Sequence, residues 1–417
     1  MHKDLIFELI SVLVGVVALL ILVVHLVKKQ KLLKILKKPG IYTPIILILV
    51  VFVTGLLSNK TYAPNFAMPA FMMSHAPGGM PASIPVPKIF DFFMHENKFE
   101  KVADIGADPN QVPNEAQKPD ADGIVRISLH AQEVISEIGP GIYFNYWTYN
   151  KQVPGPMLRI KEGDTVELTL TNDKSSLHNH NIDLHAVTGQ GGGASLTNVM
   201  PGESKTFLFK ALNPGLYVYH CAMPNVSTHN SHGQYGLIMV DPKDSTTQLS
   251  KVDKEFYVTQ GELYTEGQLG KKGLVPFDSD ALLEGVPNYV VFNGKVESMP
   301  RMHAKVGDKI RMYVGNGGVN LISSFHVIGE IFDKVYPEAA IGSNSSVFEN
   351  VQTTAVLPGG ASIVEFTVDV PGKYLLVDHA LARMNKGAWA VLEVTGEENP
   401  TIFKQVGITK PVHKMME

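Results

Sequence analysis

The feature that most narrows the fold is an internal echo. Lys161-Glu162-Gly163-Asp164 with Asn172 recurs, 144 positions later, as Lys305-Val306-Gly307-Asp308 with Asn316. Pro201-Gly202, Phe209, Pro214-Gly215 and Tyr217 recur, 157 positions later, as Pro358-Gly359, Phe366, Pro371-Gly372 and Tyr374. The order is kept, and the second copy carries a net insertion of 13 residues between the two blocks. Between Pro-Gly turns lie short runs such as Val166-Glu167-Leu168-Thr169-Leu170-Thr171, which alternate apolar and polar as half-buried strands do. Short strands between regular turns build sandwiches or Greek-key barrels. The expected body is therefore all-β, one domain over residues 125–247 and its duplicate over 248–398, with a tail at 399–417.

Two further segments precede the body. Residues 1–58 hold two apolar runs, at 5–27 and 41–57, separated by Lys28, Lys29, Lys31, Lys34, Lys37 and Lys38. Each run approaches or reaches the roughly 17–25 residues that cross a bilayer as a helix. A short lysine-rich loop belongs on the cytoplasmic side, so the expectation is a two-helix transmembrane anchor with everything beyond it extracytoplasmic. A cleaved signal peptide, with its single apolar core of about 7–15 residues, fits this pattern poorly. Residues 59–124, rich in Pro, Ala, Asn and Met, read as a linker that can drape partly on the body. Its methionines (Met68, Met72, Met73, Met80, Met94) are soft donors but need be no more than apolar filler. A net charge of −4 gives no footprint for nucleic acid.

The chain has one cysteine, Cys221, so an internal disulfide is impossible. An exported free thiol needs burial or a metal to protect it. Its neighbours supply the metal reading: Tyr219-His220-Cys221, His229 and Gly233-Gln234-Tyr235-Gly236, with His180-Asn181-Ile182-Asp183-Leu184-His185 upstream. Two imidazoles and a thiolate with a weak axial donor make a trigonal electron-transfer copper site; His180, Cys221, His229 and axial Gln234 are the expected set. Alternate residues of a strand point to opposite faces, so His220 diverges from Cys221 and faces His185 and Asp183, where a second copper can bind. It needs a third imidazole, and His326 and His379 are both candidates. The repeat sets Val377-Asp378-His379 beside the counterpart of His220-Cys221. His75, His95, His130, His303 and His413 read as ordinary structural histidines, and His178 and His232 as minor ligand candidates.

At these residues the sequence resembles the copper-containing nitrite reductases. The resemblance runs over about 125–396 and includes Gly189-Gln190-Gly191-Gly192-Gly193, Ser323-Ser324-Phe325-His326-Val327-Ile328-Gly329-Glu330 and Val377-Asp378-His379. It implies two cupredoxin-like domains, a homotrimer, and one type 1 and one type 2 copper per chain. By position, His180, Cys221, His229 and Gln234 would hold type 1 copper, with Gln234 standing where the family usually has Met. His185 and His220 of one subunit, with His379 of the next, would hold type 2 copper. Asp183 and His326 would orient nitrite and deliver protons, and Ile328 would wall the ligand. The implied reaction reduces nitrite to nitric oxide; the sequence does not identify the electron donor, for which a cupredoxin, a cytochrome and membrane quinol are the candidates. Two rivals are weighed against it. A two-domain multicopper oxidase needs several His-X-His pairs and usually a His-Cys-His run, yet Cys221 precedes Ala222. A non-catalytic copper carrier gives Asp183, His326 and His379 nothing to do.

Overall fold

The computed structural model describes residues 99–244, 249–296 and 302–407, with isolated helical positions at Val14, Gly15, Val17, Ala18, Ile21, Val24 and Ile46. Apart from those positions, the expected anchor and the methionines of the linker lie outside the described residues. Among the described residues no helix is long and apolar enough to cross a membrane.

The first domain is built from β1 (Glu100–Lys101), β2 (Ile124–Gly139), β3 (Ile142–Tyr149), β4 (Leu158–Lys161), β5 (Thr165–Asn172), β6 (Asp183–Leu184), β7 (Ser204–Lys210), β8 (Gly215–His220) and β9 (Tyr235–Asp241). The second contains β10 (Lys254–Leu263), β11 (Gly273–Leu274), β12 (Tyr289–Phe292), β13 (Met302–Lys305), β14 (Lys309–Asn316), β15 (Ser323–Ile328), β16 (Phe332–Tyr336), β17 (Phe348–Val351), β18 (Thr353–Val356), β19 (Ala361–Thr367), β20 (Gly372–Asp378) and β21 (Trp389–Thr395). Each domain is a pair of sheets. In the first, β11-β3-β2-β5-β7 faces β4-β9-β8-β6; in the second, β12-β10-β14-β19-β16-β17 faces β13-β21-β20-β15-β18. These are cupredoxin-like sandwiches.

The repeated residues turn out to be those that close turns and tie loops. The Lys161 amide donates to Asp164 Oδ2 at 2.8 Å, and the Lys305 amide donates to Asp308 Oδ2 at 2.8 Å. Between them Gly163 and Gly307 take φ +91° and +93°, where a side chain would be strained. The Asn172 amide group donates to the carbonyls of His178 and Val199, and Asn316 donates to those of Leu321 and Val356. Such bonds satisfy buried loop carbonyls that no strand partner reaches.

Apolar alternation then fills each sandwich. Val125, Ile127, Leu129, Val166, Leu168 and Leu170 belong to the first core, and Phe256, Val258, Ile310, Met312 and Val314 to the second. A third cluster joins the domains: Leu216, Val218, Leu237 and Met239 pack against Tyr257, Tyr313 and Ile363. Within the stretch read as linker, β1 pairs with β2 and Ile105 and Ala107 are buried. Likewise β11, from the second half, pairs with β3 of the first. The domains are thus joined by the β11–β3 pairing as well as by the third cluster.

Candidate metal centres

At the end of β8 the chain passes from one side of the sheet to the other, and the two faces collect different donors. On one side His180, Cys221 and His229 bring one ligand atom each within 4.8 Å of one another, all buried. His180 lies in a loop, held by an isolated antiparallel bridge to Val199. His229 rides on a short helix, α1 (Val226–Ser231), that the sequence pattern did not announce. Cys221 Sγ lies 3.3 Å from His229 Nδ1, which is also 3.3 Å from Gln234 Oε1. Gln234 is fully buried, and its amide oxygen is turned to the His229 side of the cluster, where it could serve as a weak further donor.

This donor set suits a cation. Both ring nitrogens of His180 are buried without a hydrogen-bond partner, as is Gln234 Nε2. Burial pushes the Cys221 thiol up to about 12 and holds His229 well below the ordinary imidazole value. Burial also lowers His180, although Glu133 opposes it. Neutral imidazoles and a desolvated thiol beside them are ready to exchange one proton for a metal. Two imidazoles, a thiolate and an amide oxygen match a blue-copper site.

On the other side Asp183, His185 and His220 form the second group. Asp183 is paired with His220 across β6 and β8, and its Oδ2 lies 3.9 Å from His220 Nε2. Facing Nε2 atoms of His185 and His220 are 3.0 Å apart. His220 Nδ1 is turned to the Cys221 carbonyl at 3.0 Å, leaving Nε2 for the cluster, and burial lowers its affinity for a proton. Two converging imidazoles fit a copper ligand set one donor short.

Neither remaining candidate joins that group within the chain. His326, on β15, and exposed His379, just beyond β20, pair with each other at 5.3 Å between ring centroids. His326 Nδ1 is 2.5 Å from the Gln352 carbonyl oxygen. Ile328 follows on the same strand, 41% exposed. The second domain therefore presents an outward-facing half-site of its own.

Several supporting residues were missed from sequence. Trp147 stacks on His232 at 4.2 Å and meets His229 edge-on at 4.5 Å. His232 packs between aromatic rings, and its Nδ1 is 2.7 Å from the Thr228 carbonyl. His178 lies against the same indole and the Glu133 carboxylate. Glu133 also accepts the amides of Leu177 and His178 and lies 3.5 Å from His180 Nε2. Asn181 Oδ1 accepts the Ala222 amide at 2.7 Å, tying both ligand loops together. In the glycine loop, a Cβ on Gly192 would fall 1.9 Å from Asp183 Oδ1, so only glycine lets that carboxylate lie there. Parity was the available signal for Glu133: Val125, Ile127, Leu129, Ala131 and Glu133 share the inward face of β2.

Comparison with known proteins agrees with this geometry. The family described as multicopper oxidase matches residues 137–245. A copper-containing nitrite reductase of Neisseria gonorrhoeae is 53% identical over 285 residues, covering 67% of this chain and 71% of that protein. One from Alcaligenes faecalis is 35% identical over 291 residues, covering 66% and 76%. The solved copper nitrite reductase of Nitrosomonas europaea superposes with a TM-score of 0.58 at 34% identity, covering 66% of this chain and 96% of that one. With two donor clusters flanking His220-Cys221 and relatives at this level of identity, the chain belongs to the copper-containing nitrite reductase family.

Proposed function

We propose that this protein reduces nitrite to nitric oxide, taking one electron and two protons per nitrite and releasing water. The observation that carries the reading is the adjacency of His220 and Cys221, which puts two donor clusters back to back and joins them through covalent bonds. Copper at the buried cluster would accept and pass electrons, and copper at the histidine cluster would bind and polarise nitrite.

The chain's own residues do the remaining work. Burial of Cys221, His180 and His229 keeps water from the electron-accepting side. Asp183, held beside His220 by the β6–β8 pairing, is placed to hold a proton for a bound oxygen. His326 is the second proton carrier, and Ile328 supplies an apolar wall. His379 is the third imidazole of the histidine cluster. Because His379 is exposed and outside the Asp183 group, the reading places it against His185 and His220 of a neighbouring copy, in a homotrimer whose catalytic centres lie between subunits. The two apolar runs and the lysine loop support a membrane-anchored protein with its body outside the cytoplasm; labels at Gln30 and Ser58 reacting from opposite sides would check this. A cupredoxin, a cytochrome or quinol could supply the electron.

The test is direct. Purified, copper-loaded protein given nitrite and an artificial reductant should release nitric oxide and contain two coppers per chain. Four coppers with oxygen consumption would favour the oxidase reading, and one copper without nitric oxide the carrier.

A further inference from the structure

We propose that the Asp378–Arg383 ion pair, whose carboxylate is fully buried, takes in the second domain the place of the thiolate–metal pair that a bound metal would complete in the first, and that it serves to fix His379 as a ligand. The inference rests on the reading of His379 as the third imidazole.

The equivalence is read from hydrogen bonds. The Cys221 amide donates to the carbonyl of Gln234, the residue before β9, and the Asp378 amide donates to that of Ala388, the residue before β21. Cys221 Sγ accepts the amide of Asn181 and of Met223, two residues on. Asp378 Oδ1 accepts the amide of Ser324 at 3.2 Å and of Ala380, again two residues on, at 3.0 Å. The strand pairings agree: Asp183 stands opposite His220 in the first domain, and His326 stands opposite Val377 in the second. A fully buried carboxylate thus takes the station of the thiolate.

What differs is the cation. In the first domain the thiol faces His229 Nδ1 at 3.3 Å and shares its cluster with His180, whose buried ring nitrogens have no hydrogen-bond partner. In the second, Arg383 Nη1 reaches Asp378 Oδ2 at 2.5 Å and also donates to the Ile322 carbonyl at 2.6 Å. An anion at this station would therefore have a positive partner in both domains, a bound metal in the first and the Arg383 guanidinium in the second. The pair ties together the three segments around His379: its own strand, the turn bearing Arg383, and the 322–324 stretch, where the Ser324 carbonyl accepts the His379 amide at 2.8 Å. Buried polar partners that hold a ligand's backbone in this way set where its ring can point.

Removing one partner would strand a buried charge, so the test uses the double variant Asp378→Asn/Arg383→Gln, with the charge-conserving Arg383→Lys and His379→Ala beside it. Copper per chain and affinity are measured by dialysis of the whole protein against a graded chelator, with the visible colour of the Cys221 site reporting the fold. The double variant should keep its colour while copper at the histidine site binds about 10–100-fold more weakly. His379→Ala should lose that copper altogether. Arg383→Lys, whose cation can still bond both the 322 carbonyl and the Asp378 carboxylate, should hold that copper nearly as tightly as the parent. Parent-like affinity in the double variant, with copper lost in His379→Ala, would overturn the inference alone. Loss of colour would also overturn it, by showing that the pair supports the whole fold. Retention of both coppers in His379→Ala would overturn the reading of His379, and the inference with it.

Discussion

The two domains share a scaffold down to single hydrogen bonds, yet one gathers a thiolate site and the other does not. The clearest contrast outside the ligands is between two glutamates. β2 runs parallel to β5 with Val125 opposite Val166, and β10 runs parallel to β14 with Lys254 opposite Ile310, which sets Glu133 and Glu262 at the same station. Both are buried and both accept loop amides. Burial pushes Glu133 up, but the His178 hydrogen bond and the nearby His180 ring outweigh it and hold the carboxyl far below its usual range. Burial prevails at Glu262, which faces Tyr264 and is raised. The same backbone thus hosts opposite electrostatics, and the choice of histidine or tyrosine as partner decides which. The metal preference of such a sandwich is a property of a handful of side chains.

The most severe break in the comparison is Cys221→Ser, which deprives the first domain of its distinguishing atom. A hydroxyl retains none of the thiolate's charge-transfer absorption, so the visible colour should vanish and nitrite reduction should stop. A coloured, active variant would remove Cys221 from the electron route. Smaller but still large is Gly192→Ala. The added Cβ must displace the Asp183 carboxylate, and a shift of about 1 Å near a reacting group can cost about 10²-fold in rate. The colour should survive, and an unchanged rate would show that Asp183 does not need its present position.

Gln234→Met probes the axial side of the thiolate cluster and should have a milder effect. An amide oxygen is a harder donor than a thioether and favours oxidised copper, so the Met variant should have a higher reduction potential and an altered spectrum at unchanged copper content. An unchanged spectrum and potential would mean that the amide is not a ligand. The smallest effect separates the two glutamates by pH. Glu133, depressed in the fold, stabilises above the unfolded value of about 4.3 and loses that contribution as pH falls through its folded value. Glu133→Gln should therefore lower the melting temperature at pH 7 and by less in acid. Glu262, raised in the fold, loses stability as pH rises through its folded value, so Glu262→Gln should raise the melting temperature at pH 8 and change little near pH 4. Parallel pH responses would erase the contrast.

Much of this was legible in the sequence because the residues concerned are local and chemically rare. A lone cysteine preceded by histidine, with a His-x-x-Asp-x-His segment upstream, announces both donor clusters, and strand parity divides them. Repeated Lys-x-Gly-Asp turns announce the duplication. Residues that act singly from distant strands were harder to read. Glu133 and Glu262 share no motif, only an inward parity, and Trp147 looks like any core aromatic. The helix carrying His229 is too short to show periodicity. The pairing of β11 with β3 joins segments from different repeats, which no local pattern encodes. Asp378 looked like the flank of a histidine until its amide partners placed it over Cys221.

The central claim is that the catalytic centre is divided between copies, with His185 and His220 from one chain and His379 from another. Subunit complementation tests it most directly. His220→Ala and His379→Ala chains should each be inactive when expressed alone, with the buried site still coloured. Co-expressed in equal amounts and purified as mixed assemblies, they should regain about a quarter of the parent rate, since random pairing leaves that share of shared sites intact. Mixed assemblies that stay as inactive as either variant alone would contradict the account.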